Sequence, residues 1–230
     1  MTSRLVPVRA VALAGAAFLA GGVPLGALLL RRLRPGLDIH AVGTGNPGTS
    51  NIFRNAGLGA AAVVGPLQFL QGVLPVAAAR RIHADHPGAA CTAAVAAVTG
   101  SCWPVVWPRG GGRGMAVLHG TVAALSPSAF LVLLAADAAG LASGHIARGV
   151  GAGVLLLPLT LGRERGRAGC ATGLALVAVT AARRLDGVRA DLRETPPGPA
   201  AAIVARRLFD DVRPGDSLLG PRRTAAADRA

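Results

Sequence analysis

The sequence predicts an all-α fold, a polytopic transmembrane helical bundle of five to seven membrane helices with polar, glycine-rich cytoplasmic loops. Of the 230 residues, 52% are hydrophobic and only 15% are charged, whereas an ordinary soluble domain has about 25% charged residues. The apolar residues are gathered into long runs, and short segments rich in glycine and arginine separate these runs. Membrane lipids are therefore the expected surroundings of the chain.

The positive charge of the chain fits the same surroundings. The formal net charge is +13, and only 3% of the residues are aromatic. Proteins that bind nucleic acids combine basic surfaces with aromatic side chains on which bases stack, so we predict no nucleic-acid partner. Arginine-rich loops beside anionic lipid headgroups account for the charge.

Six apolar segments are candidate membrane helices. A helix needs about 20 residues to cross the hydrocarbon core, so the last two segments are short. The first segment follows basic residues as a signal peptide does, but a signal's apolar region has about 7–15 residues. Because this segment is longer and ends at a basic cluster, we interpret it as an uncleaved span. The six segments are residues 8–30, 58–79, 89–107, 115–136, 149–161 and 169–182.

The distribution of arginine predicts the orientation. Residues 31–54 contain four arginines and residues 109–113 contain two, and arginine-rich loops tend to stay in the cytoplasm. Both loops are then cytoplasmic and the N-terminus is outside, although Arg80 and Arg81 depart from the bias. The basic residues beyond position 182 share the cytoplasmic side only if the number of crossings is odd. Five crossings satisfy this condition, as do seven if residues 115–161 contain an extra turn.

The C-terminal part of the chain has a different character. We predict a transmembrane domain over residues 1–195, followed over residues 196–230 by a proline-rich linker, a short amphipathic segment and a disordered basic tail. Residues 196–199 read Pro-Pro-Gly-Pro, which no helix accommodates. Residues 199–212 can form a short amphipathic helix, whose apolar face would comprise Ile203, Val204, Leu208 and Phe209.

The most informative stretch is the first glycine loop, residues 43–54, with the sequence GTGNPGTSNIFR. Its glycines fit GxGxxG, but no strand precedes them and no βαβ unit surrounds them. It also approaches GxxxxGK[ST], but Thr49 stands where that motif requires lysine. Closely spaced glycines nevertheless let backbone N–H groups converge on an anion. The predicted phosphate-binding residues are Gly43, Thr44, Gly45, Asn46, Gly48, Ser50, Asn51 and Arg54; a flexible solvated loop is the alternative.

The second glycine loop, residues 109–114, directly precedes an apolar helix. Backbone amides at a helix N-terminus attract anions, and Arg113 would reinforce them. Alone, this stretch is equally typical of a basic loop beside a membrane. Two such loops on one predicted face indicate a shared anionic ligand, to which the second loop would contribute Gly111, Gly112, Arg113 and Gly114.

These residues resemble the bacterial acyl-phosphate:glycerol-3-phosphate acyltransferases of the PlsY type. The first glycine loop is similar to their first motif, GSGNxGATNxxR. The similarity continues through residues 72–76, and Trp103-Pro104-Val105 together with residues 111–114 resembles the second motif. It covers most of the chain up to Ala182, so the chain is identified as a divergent member of this family.

The resemblance implies a multi-pass enzyme of the bacterial plasma membrane. It would transfer a fatty acyl group from acyl phosphate to the 1-hydroxyl of glycerol 3-phosphate, giving lysophosphatidic acid for phospholipid biosynthesis. Thr44 stands at the position of the motif's serine and Arg54 at that of its arginine, so both are the expected catalytic residues. Arg113 replaces a lysine in the motif that binds glycerol 3-phosphate. Since acyl phosphate is already activated, no metal or cofactor is expected.

Several positions depart from the family pattern. The motif DxxKG reads with Gln68 and Gln71, and Ser101 stands in place of a histidine. The third motif, HRxNIxRL, falls near residues 183–191, where neither the histidine nor the asparagine is found. Among the other histidines, His40 and His119 are weak candidates for a substitute. The alternatives to an enzyme are a catalytically silent homologue that binds phosphorylated lipid precursors or a partner protein, and a small transporter.

Overall fold

The computed structural model describes residues 5–186, 188 and 200–209. Within these residues all regular structure is helical, which confirms the all-α prediction. A short 3₁₀ turn, Pro108–Gly110, belongs to the second glycine loop. The helices are α1 (Leu5–Gly21), α2 (Leu25–Leu33), α3 (Thr49–Ala56), α4 (Leu58–Ile82), α5 (Pro87–Cys102), α6 (Met115–Leu125), α7 (Pro127–Ala142), α8 (Ile146–Leu155), α9 (Leu157–Leu185) and α10 (Ala200–Phe209).

The composition of the first apolar segment predicted one continuous span. In the structure this segment is divided into two helices. Helix α1 ends at Gly21 and α2 begins at Leu25, directly after Pro24. Proline lacks a backbone N–H and disfavours a helical conformation in the residue before it. The carbonyl groups exposed by this break are bound by the side chain of Gln71 on α4.

The segment 115–136 was predicted as one candidate span, with an extra turn within residues 115–161 as the alternative, and the structure has such a turn. Helix α6 ends at Leu125 and α7 begins at Pro127. The hydroxyl of Ser126 accepts a hydrogen bond from the Ala129 N–H at 3.0 Å, and Pro127 occupies the first helical position. Serine at an N-cap followed by proline is a strong helix start, and it overrides the apolar continuity.

Helix α9 reverses direction within its bounds. Gly166 has φ 58° and ψ −143°, outside the helical region. A Cβ built on Gly173 would overlap the backbone of Pro158, and one built on Gly169 would overlap the Leu161 carbonyl. Residues 157–165 and 167–185 are therefore antiparallel arms of a hairpin. The predicted segment 149–161 lies across the end of α8 and the start of the first arm.

Within residues 5–186 the helices make seven passes between two ends of the bundle. The passes are α1 with α2, α4, α5, α6, α7, α8 with residues 157–165, and residues 167–185. At one end, called the far end, Arg80 donates to the Ala124 carbonyl and Arg165 to the Leu125 carbonyl. Both glycine loops lie at the opposite end, called the loop end. Seven is odd and within the predicted range.

The apolar surface shows how the bundle meets lipid. Three described segments are long and apolar enough to cross a membrane, namely Val11–Leu33, Leu58–Ile82 and Ile146–Leu185, the last of which contains the reversal at Gly166. Large apolar side chains remain exposed on several helices, for example Val11 at 72% and Leu159 at 65%. An exposed apolar surface of this extent is stable in hydrocarbon and not in water. The protein is a multi-pass integral membrane protein.

The short C-terminal helix packs against the bundle. Helix α10 spans Ala200–Phe209, inside the predicted range 199–212. Arg184 donates to the Leu208 carbonyl at 3.0 Å, and Arg207 donates to the Asp186 carbonyl at 2.6 Å. These bonds hold α10 at the loop end. The predicted linker and tail fall outside the described residues, as do the side chains of Ile203 and Phe209.

Candidate functional site

A cavity of about 430 Å³ lies at the loop end, between the two glycine loops. Nine of the twelve residues predicted to form the site line this cavity. From the first loop they are Thr44, Asn46, Gly48, Ser50, Asn51 and Arg54, and from the second loop they are Gly112, Arg113 and Gly114. The two glycine loops therefore line one cavity, and binding of an anionic ligand by these residues stays a prediction.

Asn51 fixes the conformation of the first glycine loop. Its side chain is buried, and Nδ2 donates to the carbonyl groups of Ile39 and Val42 at 3.4 and 3.2 Å. Its Oδ1 accepts from the Thr44 N–H at 3.1 Å and from Asn55 Nδ2 at 3.0 Å. Asn51 thus holds Thr44 at the cavity wall.

Gly43, Gly45 and Gly111 are the three predicted site residues that do not line the cavity. Gly43 has φ +60° and Gly45 has φ +69°, conformations that favour glycine. A Cβ on Gly43 would also overlap the side-chain oxygen of Asn51. The structure therefore explains these two glycines by the shape of the loop, and a direct substrate contact of the three residues stays a prediction.

Gln68 ties the first glycine loop to α4. Its Oε1 accepts from the Thr49 hydroxyl at 2.9 Å, and its Nε2 donates to the Pro47 carbonyl at 3.1 Å. One turn further along, Gln71 Nε2 lies 2.6, 3.1 and 2.8 Å from the carbonyl oxygens of Ala20, Gly21 and Val23. Gln68 and Gln71 stand at the aspartate and lysine positions of DxxKG. Gln68 still offers a hydrogen-bond acceptor to the first glycine loop, and Gln71 still offers a donor to the carbonyl groups between α1 and α2.

The second glycine loop is held by the end of α9. Arg183 donates from Nε to the Gly112 carbonyl at 2.8 Å and from Nη2 to the Gly111 carbonyl at 3.1 Å. Its Nη1 pairs with Asp186 Oδ2 at 2.7 Å, and the same oxygen accepts from the indole N–H of Trp103 at 2.9 Å. The region where the third motif was sought therefore positions the second loop, a role that we did not predict.

The two loops meet directly above the cavity. Gly112 donates from its N–H to the Ser101 carbonyl at 2.9 Å, and a Cβ built on Gly112 would lie 3.2 Å from Asn46 Oδ1. Helices α3 and α6 both begin at this point, and residues of their first turns line the cavity. Because helix N-termini carry partial positive charge, both favour an anion at the loop end of the cavity.

Arginines concentrate positive charge around Arg113. Its pKa is lowered from the ordinary value of arginine to about 10, first by burial and then by the positive charges of four other arginines. An anion in the cavity would offset this repulsion. Helix α10 supplies one of these charges, which the sequence did not predict. The four neighbours are Arg184, Arg207, Arg54 and Arg183.

The other part of the cavity wall is apolar, apart from one ionisable pair. His119 on α6 and Asp137 on α7 both line the cavity, and His119 Nε2 lies 2.8 Å from Asp137 Oδ2. His119 Nδ1 lies 2.7 Å from the Met115 carbonyl oxygen. The neighbouring apolar residues of the wall are Phe69, Phe130, Leu134, Ile146 and Val150.

Sequence reasoning considered His119 but missed Asp137. The signal was present, because an ionisable residue within a membrane helix marks a functional site by default. His40, the other histidine considered, does not line the cavity; its Nδ1 lies 3.2 Å from the Gly45 carbonyl oxygen within the first loop.

The fold and the site together define an integral membrane protein with an anion-attracting cavity that is polar at one end and apolar at the other. The family model described as glycerol-3-phosphate acyltransferase matches residues 11–184. The chain belongs to the glycerol-3-phosphate acyltransferase family.

Curated relatives and solved structures agree with this assignment. The chain is 43% identical over 118 residues to a glycerol-3-phosphate acyltransferase of Rubrobacter xylanophilus, covering 51% of this chain and 58% of that protein. It is 41% identical over 114 residues to one of Myxococcus xanthus, covering 50% and 59%. The crystal structure of PlsY, an integral membrane glycerol 3-phosphate acyltransferase in its glycerol 3-phosphate form, superimposes with a TM-score of 0.70 at 25% identity, covering 85% of this chain and 98% of PlsY.

Proposed function

We propose that this protein transfers a fatty acyl group from acyl phosphate to the 1-hydroxyl of glycerol 3-phosphate, giving lysophosphatidic acid. The observation that carries the proposal is the single cavity lined by both glycine loops, with Arg54 and Arg113 in its wall and apolar side chains beyond them. An anionic headgroup and a fatty chain require such a division of polar and apolar surface. The names of the curated relatives support the acceptor, and the glycerol 3-phosphate form of PlsY supports it further.

The cavity suits two small anionic groups. Its volume of about 430 Å³ lies in the range of small-molecule sites, roughly 300–1,000 Å³. Arginine binds phosphate through forked, charge-assisted hydrogen bonds, and the first turns of α3 and α6 add backbone amides. Arg54 and Arg113 are the proposed phosphate ligands. Asn46, Gly48, Ser50, Asn51, Gly112 and Gly114 complete the proposed substrate-binding wall.

For this reaction the main task of the protein is to hold the two substrates in the correct relative position. Acyl phosphate is a mixed anhydride, so the acceptor oxygen can attack its carbonyl carbon directly as phosphate leaves. Holding the two anions together converts this attack into a reaction within one complex. Arg54 and Arg113 would stabilise charge that develops on the phosphate and the carbonyl oxygen. Thr44 would orient a substrate oxygen through its hydroxyl, which makes Thr44 and Arg54 the proposed catalytic residues.

We further propose that the protein resides in the bacterial plasma membrane with both loops in the cytoplasm. Glycerol 3-phosphate is charged and water-soluble, so its site must open to an aqueous compartment. The arginine bias of residues 31–54 and 109–113 favours the cytoplasmic side.

The test is an acyl-transfer assay with the purified protein in detergent micelles. Palmitoyl phosphate and radiolabelled glycerol 3-phosphate are supplied, and labelled lysophosphatidic acid is measured. We expect transfer by the wild type and a loss of about 10²–10³-fold for Arg54→Ala. Arg32→Ala, which removes an exposed arginine outside the cavity, should keep full activity.

One other outcome would overturn this function, and a second would overturn only the role of Arg54. Binding of labelled glycerol 3-phosphate without transfer would support the catalytically silent homologue, to which the altered third motif points. Undiminished transfer by Arg54→Ala would remove the proposed role of that residue.

A further inference from the structure

Helix α10 lies beyond residues 11–184, the part of the chain that the family model matches. Two arginines join it to the end of α9 in a reciprocal arrangement. Arg184 of α9 donates from Nη1 to the Leu208 carbonyl at 3.0 Å, and Arg207 of α10 donates from Nη1 to the Asp186 carbonyl at 2.6 Å. The last carbonyl groups of a helix have no partner within it, and basic side chains can bind them. Each of the two helices therefore caps the C-terminus of the other.

Asp186, the C-cap residue of α9, connects this contact to the second glycine loop. Its main-chain carbonyl accepts from α10, while its carboxylate oxygen Oδ2 accepts from Arg183 Nη1 at 2.7 Å and from the indole N–H of Trp103 at 2.9 Å. Arg183 in turn donates to the carbonyl groups of Gly111 and Gly112. A chain of hydrogen bonds thus runs from α10 through Asp186 to the second glycine loop.

Helix α10 also reaches the other side of this loop, where α6 begins. Leu208 and Met115 line the same small apolar cavity of about 130 Å³, and Met115 lies two positions after Arg113. In agreement with this placement, the positive charge of Arg207 contributes to the lowered pKa of Arg113. Arg207 does not itself line the larger cavity. Its effect on a ligand there must therefore be indirect.

We propose that Arg207 is a positioning residue for the second glycine loop, which it holds through Asp186 in the conformation that binds the phosphate of glycerol 3-phosphate. This inference rests on the acyl transfer proposed above. The loop carries Arg113, and forked hydrogen bonds to phosphate require a fixed geometry. Such a geometry is kept only if the residues that support the loop are held in turn. A helix outside the matched part of the family would then belong to the support of the binding site.

The first variant is Arg207→Met, which keeps an unbranched apolar side chain and removes the donor. We expect KM for glycerol 3-phosphate to rise about three- to tenfold, the value of one hydrogen bond, with kcat changed by less than about twofold. Arg207→Lys keeps a cationic donor and should recover most of the lost affinity. Arg32→Met, which removes an exposed arginine at the same end of the bundle, is the matched control and should behave as the wild type.

A double-mutant cycle tests the route through Asp186. Asp186→Ala removes the carboxylate that holds Arg183 and Trp103, so it should raise KM at least as much as Arg207→Met. Once that connection is cut, Arg207 can no longer hold the loop. Arg207→Met should then change KM by less than about twofold in the Asp186→Ala background. An arginine that acted only through its charge would instead give effects that multiply.

Equilibrium dialysis with radiolabelled glycerol 3-phosphate separates this inference from the function on which it rests. A wild type that binds without transfer overturns the function, and the dissociation constants of the variants then replace KM in the test. A wild type that neither binds nor transfers overturns both. Unchanged affinity in Arg207→Met, no recovery in Arg207→Lys, or multiplied effects in the double variant each overturn the inference and leave the function standing. If Arg207→Met does not fold, Arg207→Gln takes its place with the same expected result.

Discussion

The lowered pKa of Arg113 predicts that the affinity for glycerol 3-phosphate depends on pH. This pKa of about 10 reflects burial and four neighbouring positive charges. A bound phosphate favours the protonated guanidinium and therefore raises this pKa in the complex. By linkage, the affinity for glycerol 3-phosphate should stay constant between about pH 8 and 9 and weaken as pH rises through 10, by up to about tenfold per pH unit.

Arg113→Lys makes this prediction specific to one residue. Lysine has an ordinary pKa of about 10.4, below that of arginine, and the same neighbours would lower it further. The loss of affinity should therefore begin at lower pH in the variant. Equilibrium dialysis with radiolabelled glycerol 3-phosphate measures the effect, and Arg109→Lys, at an exposed position of the same loop, is the control. Identical profiles for the wild type and Arg113→Lys would contradict the assignment.

Single residues also show what the sequence could and could not reveal of the site. Spacing and residue type were enough to place Thr44, Arg54 and Arg113 in one cavity, because glycine-rich loops and helix N-termini have local signatures. The replacement of the aspartate and lysine of DxxKG by Gln68 and Gln71 suggested a loss of function, because a sequence motif shows that two charges are missing but does not show which hydrogen bonds the glutamines make. In the fold these glutamines donate to carbonyl groups more than 20 positions away or accept from the first loop. Hydrogen bonds between residues so far apart in the chain cannot be predicted from a single sequence.

At the scale of elements, glycines let the helices approach to backbone contact. Helices α4 and α6 cross at Gly72 and Gly120: a Cβ on Gly72 would overlap the Val117 carbonyl, and one on Gly120 would overlap the Phe69 carbonyl. Close approach through small residues is the usual basis of helix packing in membranes. Since α6 begins at the second glycine loop and carries His119, this crossing sets the position of half the site.

Gly72→Ala tests the crossing. The added methyl group cannot be accommodated without separating α4 from α6, so we expect a loss of about 1–3 kcal/mol of stability and lower transfer activity at elevated temperature. Gly59→Ala, on the same helix, places its methyl group in open space and should be neutral or stabilising by up to about 1 kcal/mol. Thermal unfolding in detergent, followed by size-exclusion chromatography, measures both. Equal stability of the two variants would disprove the close crossing.

The helix boundaries were predictable only in part. Helix α4 runs through Pro66 and Pro75, as the apolar length of residues 58–79 predicted, because neighbouring groups in a bundle can satisfy the freed carbonyls. Pro127 instead begins a helix, since Ser126 caps the new N-terminus. The same residue type thus has opposite effects, and the difference lies in the capping side chain before it. Apolar length alone does not carry that information.

At the scale of the molecule, two arginines of the far end have a structural reason for their place there, and one of them, Arg80, departs from the bias that predicted the orientation. Arg80 donates to the Ala124 carbonyl, and Arg165 donates to the Leu125 carbonyl, both at the C-terminus of α6. Basic side chains that bind the last carbonyl groups of a helix stabilise that end. These arginines therefore belong to the far end for packing reasons. The remaining bias still favours the loop end as cytoplasmic.

Cysteine labelling tests the arrangement of the whole chain. In a background where Cys91, Cys102 and Cys170 are replaced by alanine, single cysteines are introduced at three exposed positions. Arg32→Cys and Arg109→Cys report the loop end, and Asp85→Cys, in the connection after α4, reports the far end.

A membrane-impermeant maleimide added to intact spheroplasts should label only Asp85→Cys, because seven passes put the far end outside and both loops inside. Permeabilised spheroplasts should label all three positions. Labelling of Arg32→Cys and Arg109→Cys from different sides would mean that the two loops cannot form one cavity. Labelling of both in intact spheroplasts would keep the cavity but reverse its orientation, which would separate the site from the cytoplasmic supply of glycerol 3-phosphate.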